Sequence, residues 1–129
     1  MIYTSYFGQL RNLPNNMVPI AICGGIPSWY SGLWYRKLAP KYKFFMEWKE
    51  NHDNEHYIKC FNEQVLSELN AVDIVTELYQ LMLDNDIDPK EKDICLLFYE
   101  KPEDFCHRHL VADWLTKNKI ECKEWQKNG

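Results

Sequence analysis

The sequence predicts an α/β domain built on a small, mostly parallel sheet. Short apolar runs of strand length alternate with longer stretches of helical period. Strands separated by helices pair in parallel, with helices lying on the faces of the sheet. A chain of 129 residues with 46% apolar content holds one core, so residues 1–129 read as a single domain. No repeat, low-complexity tract or linker divides them.

In chain order, Ile2–Phe7 reads as the first strand, and Leu13-Pro14-Asn15-Asn16 as a turn. Val18–Cys23 is a continuous apolar run ended by Gly24-Gly25 and Pro27, the pattern of a buried strand. Residues 27–50 are rich in aromatics and fit no single period. Pro40 interrupts any helix there, and Tyr42–Lys49 forms its own short helix. Asn54–Leu69 and Ala71–Leu83 both carry helical spacing, with Asn70 and Asp73 as start signals for the second. Asp84–Glu91 is a solvated connection; it lacks the glycine and the closing glutamate of a calcium loop. Ile94–Tyr99 is the clearest buried strand, residues 104–118 form a helix, and Ile120–Trp125 is a final strand.

The N-terminus reads as a strand and not as a signal peptide, and no apolar run is long enough to cross a bilayer. Cys23, Cys60, Cys95, Cys106 and Cys122 are odd in number, irregular in spacing and without a CxxC pair, which predicts a reducing cytoplasm. The net charge of −4 is unevenly spread. Residues 1–50 hold six basic and two acidic residues, net +4; residues 51–129 hold nine basic and seventeen acidic, net −8. The acidic part argues against wrapping a nucleic-acid duplex. The basic stretch from Arg36 to Lys49 reads first as a solvated helix face and second as a phosphate contact.

Ligands of parallel sheets bind beyond the carboxyl ends of the strands. That rule selects Ser5-Tyr6-Phe7, Cys23-Gly24-Gly25 and Tyr99–Arg108. The third segment carries the most chemistry. A helix start favours Glu103 and Asp104 and disfavours Arg108, His107 and His109, unless an anion is held between the helix N–H groups and Arg108. A thiol at Cys106 is activated in the same field. The competing reading makes Cys106 a small buried hydrophobe and pairs Arg108 with Glu100, Glu103 or Asp104. A cysteine-phosphatase loop fails because Ala112 stands where the arginine belongs. A thiol hydrolase would pair Cys106 with His107 or His109. A zinc site would need Cys106 and His109 with a distant Cys23 or Cys122, a weak pattern, and no metal is expected.

Gly24-Gly25 lets backbone approach a ligand closely, but it is neither a GxGxxG fingerprint nor a P-loop, and no cofactor is expected. Trp29, Tyr30, Trp34 and Tyr35 follow and supply faces on which a base can stack; core packing is the competing role of each.

Tyr99-Glu100-Lys-Pro-Glu-Asp-Phe-Cys106-His107-Arg108 and the helix after it resemble the domain-of-unknown-function 488 family of small bacterial and phage proteins, closely over residues 93–116. The resemblance implies a three-layer, Rossmann-like α/β sandwich, and it implies that Glu100, Cys106, His107 and Arg108 belong to one site. Many members carry Asp-x-Arg and Pro-Ser-Arg after the second strand. Here that stretch is Cys23-Gly24-Gly25-Ile26-Pro27-Ser28-Trp29-Tyr30, and Arg36 or Lys37 stands as a substitute for the missing arginine.

The expected partner is therefore an anionic small molecule of nucleotide type. Arg108, His109, Ser5, Tyr6, Gly24, Gly25, Trp29 and Tyr30 would bind it, and Cys106, His107 and Glu100 would carry any hydrolysis or group transfer. Nucleic acid is the weaker candidate partner and a membrane is not expected. The alternative is a non-catalytic inhibitor or adaptor that docks a protein through the acidic surface and the aromatic 27–48 segment.

Overall fold

A computed structural model describes residues 1–99 and 107–127. Five strands form one parallel sheet: β1 (Ile2–Tyr6), β2 (Met17–Ala21), β3 (Leu33–Trp34), β4 (Asp93–Phe98) and β5 (Cys122–Glu124). Their order is β3-β2-β4-β1-β5, and every pairing is parallel. The helices are α1 (Tyr42–Asn51), α2 (Asn54–Gln64), α3 (Ala71–Asp84) and α4 (His107–Lys117).

Alternation along the strands sorts the side chains into two layers. Ile2, Val18, Ile20, Ile94, Leu96 and Phe98 face one core, together with Phe44 of α1, Phe61 of α2, Leu78 of α3 and Val111 of α4. Met17, Ala21, Cys95 and Leu97 face the other, with Phe7 and Tyr30. All four α-helices thus pack on one face, whereas the sequence pattern places helices on both. Connection lengths explain the difference. The links β1–β2 and β2–β3 run toward one edge through residues 7–16 and 22–32, and they are too short to hold a full crossover helix. A 3-10 turn at Phe7–Asn12 and the loop bearing Tyr30 form the thin third layer instead. The longer links β3–β4 and β4–β5 run the opposite way, through α1–α3 and α4, across the other face. Opposite direction on the opposite face keeps every crossover of one hand.

Asn70 caps α3 as its sequence position predicts, its side chain accepting from Asp73 N at 3.1 Å. The helix expected over Asn54–Leu69 ends at Gln64 and continues as a 3-10 turn, Leu66–Glu68. Ser67 Oγ donates to the Glu63 carbonyl there and offers the backbone an alternative to the helical ladder. No helix among the described residues is long and apolar enough to cross a membrane.

Candidate functional site at the carboxyl edge of the sheet

The carboxyl ends of β2, β3 and β4 open into a cleft of about 1170 Å³. Cys23, Gly24 and Gly25 line it after β2, Arg36 and Lys37 after β3, and Tyr99 after β4. His107 of α4, Lys41 and Lys49 at the two ends of α1, and Glu63 and Glu68 complete its polar lining. Of the three strand ends selected from sequence, those after β2 and β4 meet in this cleft.

Gly24 and Gly25 are informative in a negative sense. Neither has positive φ, and a Cβ on either would meet nothing within 4 Å among the described residues. Neither backbone strain nor close protein packing requires glycine here. What the pair provides is bare backbone on the cleft wall.

His107 is buried at the base of the cleft, against Phe98 at 4.4 Å and Phe61 at 5.4 Å between ring centres. Its Nε2 lies 3.2 Å from the Ile22 carbonyl. A carbonyl only accepts, so the ring donates Nε2–H and presents Nδ1 as a lone pair. Burial pushes its pKa down to about 3, the nearby Arg108 charge adds to the fall, and the Ile22 hydrogen bond opposes it. A neutral ring at pH 7 holds or orients a group by hydrogen bonding; it is not a proton donor. It also ties α4 to the end of β2.

Arg108 turns away from the cleft and is fully buried. Its Nη1 donates to the Ser5 carbonyl at 3.3 Å, and its Nε lies 3.2 Å from Glu124 Oε1. Its guanidinium sits 5.6 Å from the centre of the Tyr6 ring. Thr4 Oγ1 donates to the same Glu124 oxygen at 2.9 Å. Arg108 therefore anchors α4 to β1 and β5. Ser5 is buried beneath it.

Tyr30 is buried on the opposite face, donating its hydroxyl to the Leu33 carbonyl at 2.6 Å, and burial raises its pKa. Trp29 is exposed outside the cleft, and His109 is exposed on α4. Glu100 and Cys106 lie outside the described residues. Cys60, Cys95 and Cys122 are free thiols; burial pushes Cys95 and Cys122 up to about 12, with the Glu124 charge adding to the rise. No three His, Cys, Asp or Glu side chains among the described residues converge to hold a metal.

The start of α1 lies in the basic stretch that reads first as a solvated helix face and second as a phosphate contact. Lys41 is its N-cap residue, makes no side-chain cap, and is followed by no acidic residue in the first turn. Among the described residues no side chain accepts from the first N–H groups of α1, and a cation stands beside them. Lys37 is held by Glu77 at 2.7 Å, which also accepts from Tyr35 at 2.8 Å; both bonds keep the Glu77 carboxyl below its usual range. Arg36 stacks 5.0 Å from the centre of the Trp34 ring. The signal for this wall was the run Arg36, Lys37, Lys41, Lys43, Lys49. Recognising it required knowing that β3 ends just before Arg36.

Parallel strands in this order, with an open basic cleft at their carboxyl ends, define a Rossmann-like α/β protein. The family described as DUF488-N3a, the active DUF488-N3 subclade, matches residues 9–119, and the chain belongs to it. No curated protein and no solved structure matches the chain.

Proposed function

We infer that the cleft binds a phosphorylated small molecule of nucleotide type. The observation that carries this reading is the wall of Arg36, Lys41 and Lys49 in one cleft with the bare backbone of Gly24-Gly25. Cations beside the N–H groups of a helix start favour phosphate, and glycine backbone lets it approach. The anion falls to the start of α1, while Arg108 keeps α4 in place. Hydrolysis or group transfer would draw on Cys106 as nucleophile and Glu100 as acid or base. His107, neutral at pH 7, would position substrate or thiol.

Thermal melting with a panel of nucleoside mono- and diphosphates tests the reading. At a hundredfold excess over Kd, a bound nucleotide adds about 2.7 kcal/mol of stability, a shift on the order of 10 °C for a domain of this size. Arg36→Ala with Lys41→Ala should remove that shift and leave the ligand-free melting temperature nearly unchanged. Equal stabilisation of wild type and double variant would refute it.

A second reading, as a protein-docking module, draws on the exposed Val72 and Leu83 of α3, with half-exposed Tyr79 on the same acidic helix. Under it, pull-down of a partner would survive Arg36→Ala with Lys41→Ala and fail on Val72→Glu with Leu83→Glu.

A further inference from the structure

We propose that the carboxyl edge takes a short single-stranded nucleic acid, with one phosphate in the cleft and the adjoining bases on Tyr99 and Trp29. The proposal rests on the anion reading of the cleft and extends it from a monomer to a strand. Three large aromatic side chains lie open along this edge: Tyr42 at 77%, Trp29 at 62% and Tyr99 at 50% exposure. Tyr42 and Tyr99 line the cleft, and Trp29 lies outside it, linked to Tyr99 through Phe7.

Trp29 and Tyr99 are not loose surface rings. Both pack edge-on against the same buried Phe7, at 6.0 Å and 5.0 Å between ring centres. One buried ring thus holds both exposed side chains, which limits the side-chain freedom lost on stacking. A mononucleotide held by Arg36 and Lys41 with its base on Tyr99 leaves Trp29 without a role. A second base gives it one.

Single-strand binders combine cations that track the backbone with aromatic faces that stack successive bases. Here the cations Arg36, Lys41 and Lys49 and the rings Tyr42, Tyr99 and Trp29 share one edge. The charge distribution selects the single strand over a duplex. The cleft lining carries Arg36, Lys37, Lys41 and Lys49 against Glu63 and Glu68, whereas residues 51–129 as a whole are net −8, so the cations are concentrated where a single strand confined to this edge would run.

Fluorescence anisotropy with a short labelled oligothymidylate, competed by thymidine monophosphate, tests the proposal. Wild type should bind the oligomer more tightly than the monophosphate, and more weakly as salt rises. Trp29→Ala should weaken the oligomer at least fivefold and leave the monophosphate unchanged, and Trp29→Phe should restore most of the loss. Lys41→Ala should weaken both. If the monophosphate binds but the oligomer binds no better, or Trp29→Ala changes nothing, the strand proposal is overturned and the cleft reading stands. If neither ligand binds, both fall.

Discussion

Acidification from about pH 7 to about pH 5 should cost the folded protein about 2 kcal/mol through His107 alone. The ring is neutral when folded, with its pKa pushed to about 3 from an ordinary value of 6.5. Below that ordinary value the unfolded chain binds a proton that the folded chain refuses. The contribution of the neutral ring is therefore complete above 6.5 and is lost progressively as pH falls toward 3. At about 1.36 kcal/mol per pH unit the full window amounts to roughly 4–5 kcal/mol, of which about 2 falls between pH 7 and 5. Urea unfolding at the two pH values measures it, provided the slope against urea stays constant. Other titrating groups contribute as well, so the comparison is with His107→Gln, whose amide can still donate to the Ile22 carbonyl but does not titrate. The wild type should lose about 2 kcal/mol more than the variant over this interval. An equal loss in both proteins would mean that the ring is not held neutral and buried, and the account of the cleft base would be wrong.

Two further perturbations separate structural from binding roles. Arg108→Met should destabilise by about 3 kcal/mol in urea unfolding, because it strands Glu124 and the Ser5 carbonyl, and adding Glu124→Gln should recover part of the loss. Equal stability of the single and double variants would deny the pairing. Gly24→Ala, at a position with room for a Cβ, should leave stability unchanged or raise it by up to about 1 kcal/mol in the ligand-free melt. The same variant should lose most of the nucleotide-induced shift; a retained shift would remove the backbone of Gly24 from the site.

Much of the fold was legible because β2 and β4 are continuous apolar runs and α3 has clean helical spacing with an Asn cap. Leu33–Trp34 was not legible as a strand. Two residues are too few to show alternation, and the surrounding Trp29, Tyr30, Trp34 and Tyr35 fit core, loop or strand equally well. Without β3, the basic run after it has no place in the sheet, and Arg108 at the start of α4 is the cation that stands out. Sequence does show that a cation near a helix start needs a counter-charge. It does not show which one, and Arg108 meets Glu124, distant in sequence and brought beside it only by the β1–β5 pairing. Gly24-Gly25 and His107 line the cleft, and the strand ends that place them there are local in sequence. Tyr30 was not separable from Trp29 by type alone; one is buried under the sheet and the other stands open.

The most direct test of the central claim is an amide NMR titration with inorganic phosphate and then with a nucleoside monophosphate. A phosphate seated at the start of α1 should give saturable shifts at Gly24, Gly25, Tyr42 and Lys43, larger for the nucleotide and lost in Lys41→Ala. Shifts confined to other surfaces, or none at these four amides at saturating ligand, would contradict it.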